Sequence, residues 1–166
     1  LLLPNSPYPY QWQGIKFLMG NEHALLADDM GTGKTVMTTV SLKILIQQTK
    51  VHHVLILCPP SVLYEWKRHL DDWATELTAY LVRSPKKEDR KSLWETPMHV
   101  YVTTYDMLRG DIENSVLPKE NLGHFDVVIL DEAHHIKNMK RKRFRAIKRL
   151  QPKRRWALTG TPIQNK

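Results

Sequence analysis

Leu25-Leu26-Ala27-Asp28-Asp29-Met30-Gly31-Thr32-Gly33-Lys34-Thr35 is the stretch whose reading decides the fold. Its apolar start reads as a strand. From Lys34 to Gln48, Val36, Val40 and Ile44 recur every fourth residue beside Met37 and Leu45, which predicts a helix with one apolar stripe. A strand that turns through glycines into a helix is a phosphate site. Gly31 and Gly33 let the backbone turn tightly with its N–H groups inward, and the helix start adds partial positive charge. Asp29, Met30, Gly31, Thr32 and Gly33 form the cradle, Lys34 reaches the β- and γ-phosphates, and the Thr35 hydroxyl can ligate Mg²⁺. Asp28 stands where the general pattern G-x-x-x-x-G-K-[ST] has its first glycine, so the loop taken alone is a weaker match.

The second half of such a site lies about a hundred residues on. Phe125-Asp126-Val127-Val128-Ile129-Leu130 is a buried-strand pattern that runs into Asp131-Glu132-Ala133-His134. Two adjacent carboxylates at the C-terminal end of a strand suit the carboxyl edge of a parallel sheet, where such folds bind ligands. There Asp131 would hold the Mg²⁺ that bridges phosphates, and Glu132 would orient and deprotonate an attacking water. His134 is placed to hydrogen-bond across the site. The adjacent pairs His52-His53 and His134-His135 have no Cys partner and no i,i+4 histidine mate, so a zinc reading is set aside. His52, His53 and His135 are expected to be solvated or structural.

Other apolar runs alternate with helix-period segments. Strands are expected at His23–Ala27, Val51–Cys58, Thr78–Val82, His99–Thr104, Phe125–Leu130 and Arg155–Thr159. Ser61, after Pro59-Pro60, is expected to cap a helix carrying Val62, Leu63, Trp66 and Leu70, with Trp66 in the core. Phe144, Ile147 and Leu150 should face the core from a later helix, and Pro4, Pro7 and Pro9 predict an extended first ten residues. Residues 83–97 read as a polar, peripheral excursion. The fold class is α/β, with a mainly parallel sheet and helices on both faces.

At 166 residues the chain is expected to form a single domain, and its start at Leu1 reads as that of an excised fragment. No apolar run approaches the roughly 20 residues of a membrane-spanning helix. One cysteine, Cys58, leaves no internal disulfide, which fits a reducing intracellular compartment. The net charge is +8, and residues 137–155 hold eleven Lys or Arg and no acid. That concentration points to DNA phosphate or an acidic partner surface.

The motifs together resemble a known family. They are Pro9-Tyr10-Gln11 with Gly14; the loop from Leu26 to Thr35; Cys58-Pro59-Pro60-Ser61 with Trp66-Lys67; and Thr103-Thr104-Tyr105. Asp131-Glu132-Ala133-His134 with Ile136-Lys137-Asn138, and Leu158-Thr159-Gly160-Thr161-Pro162-Ile163-Gln164-Asn165, complete the set. In order and spacing this is similar to the N-terminal RecA-like lobe of the Swi/Snf-type DNA-dependent ATPases of helicase superfamily two. The resemblance implies ATP and Mg²⁺ as cofactors, double-stranded DNA as partner, and a second RecA-like lobe outside these residues. It implies that Gln11 reads adenine and that Gln164 joins the nucleotide site. Pro59, Pro60, Ser61, Thr103 and Thr104 would lie along a DNA strand, while His134, Thr159, Gly160 and Thr161 would couple the two sites. It also implies that the isolated lobe is nearly inactive and that the protein works in the cell on the chromosome, in nucleoid or nucleus. An RNA helicase of DEAH or DEAD type and a nucleotide-regulated binding module are the alternatives. A GTPase is disfavoured, since no Asn-Lys-x-Asp motif occurs.

Overall fold

Continuous apolar runs form strands that are covered on both faces. The structure is a computed structural model that describes residues 2–27, 33–138 and 140–160, with the backbone alone at 135, 137 and 138. Strands β1 (His23–Ala27), β2 (Val54–Cys58), β3 (Ala79–Leu81), β4 (Val100–Thr104), β5 (Val127–Leu130) and β6 (Arg154–Thr159) form one sheet in the order β1-β6-β5-β2-β4-β3. Every pairing is parallel. The expected strands are all present: β1 has its expected bounds, β2, β4 and β5 start up to three residues later, β3 loses one residue at each end, and β6 starts one residue earlier.

Alternation along each strand divides the core in two. Val54, Ile56 and Cys58 of β2, with Val127 and Ile129 of β5, pack under α2 (Gly33–Gln47) and α3 (Leu63–Trp73). Leu55, Leu57, Val128 and Leu130 face the other way, under α4 (Lys87–Glu95), α5 (Tyr105–Glu113) and α6 (Arg141–Lys148). Helices on both faces are what a parallel sheet requires, because crossover connections must pass over it. Helix α2 is buried on nearly every side rather than along one stripe, since α1 (Pro9–Met19) and α3 both pack on it. Its buried Thr39 and Ser41 hydroxyls donate back to Thr35 O and Met37 O, which removes the cost of unpaired polar groups. Gly14 is where α1 meets α2 closely: a Cβ there would lie 2.1 Å from Met37 Sδ.

Four expectations need correction. The first ten residues are not all extended, because α1 begins at Pro9; proline is tolerated at a first helical position, where its missing N–H has no intrahelical partner. Ser61 does not cap α3: residues Pro60–Val62 form a 3₁₀ turn, and Val62 is the N-cap without a side-chain bond. Phe144 is 39% exposed rather than in the core, with the Lys148 ammonium over its ring at 4.7 Å; Ala146 takes the inward position beside Ile147 and Leu150. Residues 83–97 contain α4, held by burial of Arg90 and Trp94. Both donate to the Asp111 carboxylate, Arg90 Nε at 3.0 Å and Trp94 Nε1 at 2.9 Å.

Candidate functional site

Parallel strands deliver all their C-terminal ends to one edge, and the strand order decides which motifs become neighbours. The order β1-β6-β5-β2-β4 places along that edge the helix start at Gly33, then Thr159-Gly160, then Asp131-Glu132, then Pro59–Ser61, then Thr103-Thr104. Register fixes the alignment: Ala27 lies opposite Thr159, Leu57 opposite both Leu130 and Thr103, and Cys58 opposite Thr104. Segments as far apart in sequence as Gly33 and Gly160 thus form two adjoining halves. One holds the candidate phosphate-site residues, and the other the candidate nucleic-acid contacts.

In the first half, Lys34, Thr35, Trp66, Asp131 and Glu132 line a cavity of about 70 Å³. Lys34 is 4% exposed, and a Cβ added at Gly160 would lie 3.5 Å from its Nζ. A larger cavity of about 310 Å³, beside Trp94, Tyr101 and Phe125, holds none of these residues. It sits toward the opposite ends of β4 and β5, whereas open α/β sheets bind ligands at their carboxyl ends.

Asp131 is gripped from four sides. Its N–H donates to Leu57 O at 2.8 Å, and its C=O accepts from the Tyr105 hydroxyl at 2.6 Å. Oδ2 accepts from Trp66 Nε1 at 2.8 Å, and Oδ1 from the Glu132 N–H at 2.9 Å. Burial pushes the Asp131 carboxyl up from its ordinary range, and the Trp66 hydrogen bond holds it down. The same burial, with Asp131 nearby, raises the Cys58 thiol and the Tyr105 phenol, so both stay protonated at neutral pH.

Glu132 adopts φ 53°, the left-handed region that side chains seldom occupy. This turn brings its carboxylate within 3.4 Å of His134 Nε2, while His134 Nδ1 lies 3.0 Å from Thr159 Oγ1. His134 therefore bridges β5 and β6 across the site, as its sequence position suggests.

The oxygens of Asp131 and Thr35 are hard donors around one cavity, which is the chemistry Mg²⁺ selects. Among the described residues there is no cluster of three or more His, Cys, Asp or Glu placed to hold a metal. Two protein oxygens completed by phosphate and water fit Mg²⁺, which dehydrates reluctantly and seldom takes an all-protein cage. Gln11 is 7% exposed and its Oε1 accepts from Tyr8 N–H at 2.8 Å, capping α1; one oxygen lone pair and the amide protons are the groups it can offer a purine. The neighbouring Tyr10 reaches the phosphate loop, since a Cβ at Gly33 would lie 3.3 Å from its hydroxyl.

In the second half, Pro60, Arg83, Thr103, Thr104 and Met107 line a shallow cavity of about 170 Å³. Pro60 and Ser61 are exposed, and Pro59 is partly so. Thr103 is expected to lie along a DNA strand, but it is 0% exposed and its hydroxyl donates to Val82 O at 2.8 Å, so it supports this edge from beneath rather than touching a phosphate. Thr104 Oγ1 caps α5 by accepting from Met107 N–H at 3.2 Å, which turns the helix start toward the edge. Sequence reasoning missed Arg83, which follows β3 at this edge and stacks on Tyr64 with its guanidinium 5.5 Å from the ring centre. Its signal was positional: a basic residue just past the end of a strand. Beyond Thr104, Arg109 and Lys140–Arg143 line a basic hollow with Asp106, which Arg143 binds through two hydrogen bonds of 2.5 and 2.7 Å.

Asp28, Asp29, Met30, Gly31, Thr32, Thr161 and Gln164 lie outside the described residues. No helix among the described residues is long and apolar enough to cross a membrane.

Comparison with known proteins meets the same architecture. Residues 10–166 match the SNF2-related domain family. The chain is 36% identical over 173 residues to the DNA excision repair protein ERCC-6-like of Bos taurus, covering 98% of this chain and 14% of that protein. It is 32% identical over 176 residues to the helicase SWR1 of Candida albicans, covering 99% of this chain and 10% of that one. The Sulfolobus solfataricus SWI2/SNF2 ATPase core, solved in complex with double-stranded DNA, superposes with a TM-score of 0.82 at 32% identity, covering 99% of this chain and 34% of that chain. This chain thus spans 10–14% of the length of these two curated relatives. It belongs to the SNF2-related family, in the Swi/Snf branch of helicase superfamily two, and has the fold of that family's N-terminal RecA-like lobe.

Proposed function

We propose that this chain is the ATP-binding lobe of a motor that couples ATP hydrolysis to movement on double-stranded DNA. The carrying observation is the strand order, which sets the phosphate-site residues directly beside the exposed Pro60–Ser61 turn and the α5 helix start. The likeness to a SWI2/SNF2 core solved with duplex DNA supports the same reading.

In this reading the phosphate loop from Asp29 to Gly33 and the buried Lys34 hold the phosphates. Thr35 and Asp131 hold Mg²⁺, which when bound neutralises phosphate charge. Glu132 orients the attacking water and takes its proton, a role that its left-handed turn toward His134 serves. Gln11 and Gln164 contact the nucleotide. Pro59, Pro60, Ser61, Thr104 and Arg83 meet the duplex through phosphate and sugar, which carries no base information, with Thr103 buried beneath them. His134, Thr159, Gly160 and Thr161 link the halves. Residues 1–166 form a single lobe, and a second RecA-like lobe of the same protein supplies the arginines that complete the site. In phosphoryl-transfer systems such an arginine is worth about 10³–10⁵ in turnover, so the lobe alone hydrolyses very little. The protein works inside the cell, at the chromosome.

The test pairs two substitutions in the full-length protein, with Mg·ATP affinity and phosphate release measured side by side. Lys34→Ala removes the buried cation and should abolish binding and turnover together. Glu132→Gln keeps shape without basicity, and should bind Mg·ATP normally while hydrolysing almost none. Equal loss of binding in both contradicts these roles.

A further inference from the structure

Both candidate duplex-contact segments end in a hydrogen-bond donor aimed at the same acidic residue. The turn at Pro60–Val62 leads straight into α3, and one turn later Trp66 donates its indole N–H to Asp131 Oδ2 at 2.8 Å. Thr104 caps α5, and the next residue, Tyr105, donates its hydroxyl to the Asp131 carbonyl at 2.6 Å. The third tie, Asp131 N–H to Leu57 O, belongs to β2, whose last residue, Cys58, precedes Pro59. Trp66 is 1% exposed and Tyr105 8%, so both lie buried behind the surface segments. Each is an aromatic lever between a surface segment and Asp131, Trp66 through the carboxylate and Tyr105 through the backbone carbonyl.

We propose that Trp66 and Tyr105 are positioning residues through which duplex binding sets the orientation of Asp131 toward Mg²⁺. A carboxylate has about four lone-pair sites. The Trp66 N–H takes one on Oδ2 and the Glu132 N–H one on Oδ1, which fixes the plane of the group and the lone pairs it turns to the cavity with Lys34 and Thr35. A shift of the Pro60–Val62 turn or of the α5 start under a phosphate backbone moves the indole or the phenol, and Asp131 with it. Groups behind a metal ligand commonly change metal affinity by about 10–100-fold when removed. Linkage requires the effect to run both ways, so Mg·nucleotide must tighten duplex binding by the factor with which duplex tightens Mg·nucleotide. The inference rests on the reading of Pro59–Ser61 and the α5 start at Thr104 as duplex contacts and of Asp131 as the Mg²⁺ ligand.

The experiment uses the full-length protein, a non-hydrolysable ATP analogue with Mg²⁺ and a short blunt duplex. Titration calorimetry gives the analogue affinity with and without duplex, and the ratio is the coupling factor. Trp66→Phe deletes the indole N–H, and Tyr105→Phe deletes only the hydroxyl, keeping the packed ring. Each should lower the coupling factor by about tenfold or bring it to unity, while duplex affinity without nucleotide and analogue affinity in EDTA stay at wild-type values. Should Trp66→Phe fail to fold, Tyr105→Phe decides. An unchanged coupling factor in Tyr105→Phe and in folded Trp66→Phe overturns the proposal. Ser61→Glu and Arg83→Ala separate this failure from that of the underlying reading. If they weaken duplex binding while coupling survives in the aromatic variants, only the lever is wrong. If they leave duplex binding unchanged, the contact reading falls and the proposal with it.

Discussion

His134 Nδ1 and Thr159 Oγ1 stand 3.0 Å apart, and this contact ties the end of β5 to the end of β6 at the centre of the site. The other ring nitrogen, Nε2, lies 3.4 Å from Glu132 Oε2. His134 thus stands between the Thr159 hydroxyl and the Glu132 carboxylate. Replacing Thr159 by Val keeps shape but removes the hydroxyl that holds His134. Turnover should fall about tenfold or more, while Mg·ATP binding stays near wild type. Steady-state phosphate release and equilibrium binding, measured on the same preparation, check this.

Glu132 carries a conformational cost for its place. A left-handed residue with a side chain costs roughly 1–2 kcal/mol, and Glu132 has φ 53°. Glu132→Gly should therefore be more stable than Glu132→Gln by up to about 1 kcal/mol, with both catalytically dead. Urea denaturation of residues 1–166 carrying each change measures the difference.

Asp131 gives a prediction with a defined sign. Its folded pKa is raised by burial, so its contribution to stability is full below the ordinary carboxylate range and is lost as pH rises through the raised value. At neutral pH without Mg²⁺ the ionised group is a cost. Asp131→Asn, whose amide oxygen can still accept from Trp66, should raise stability in EDTA at pH 7. That advantage should shrink in acid, and the variant should lose Mg-dependent nucleotide affinity. Denaturation midpoints at both pH values decide it.

The buried pair on the far face behaves in the opposite way. Arg90 and Asp111 are joined at 3.0 Å, with Trp94 Nε1 also on the carboxylate. Asp111→Ala strands a buried guanidinium and should cost about 3–5 kcal/mol. A double change of Arg90→Met and Asp111→Leu should cost less than that single one.

The fold was legible because strands buried on both faces read as unbroken Val, Ile and Leu runs, as in Val54–Cys58 and Val127–Leu130. Asp131, Glu132 and His134 were legible because their strand aims them at the sheet edge. The rest depended on contacts across the chain. Nothing local marks Trp66 as more than core, yet its N–H meets Asp131 from 65 positions away. Helix α4 was hidden in polar sequence because Asp111, not its own periodicity, buries Arg90 and Trp94. The Thr103 hydroxyl looked available for phosphate until β3 placed Val82 O against it. Phe144 fits a helical stripe, but a charged helix lying at the surface leaves it outside, under Lys148.

The central claim is that the phosphate half of this edge is driven by duplex DNA in the other half. Its most direct test is steady-state ATP hydrolysis by the full-length protein at fixed salt, with duplex DNA, single-stranded DNA and RNA supplied in turn. The account predicts strong stimulation by duplex, independent of its sequence and falling steeply as salt rises through counterion release. Turnover indifferent to duplex, or driven equally well by RNA, would contradict it.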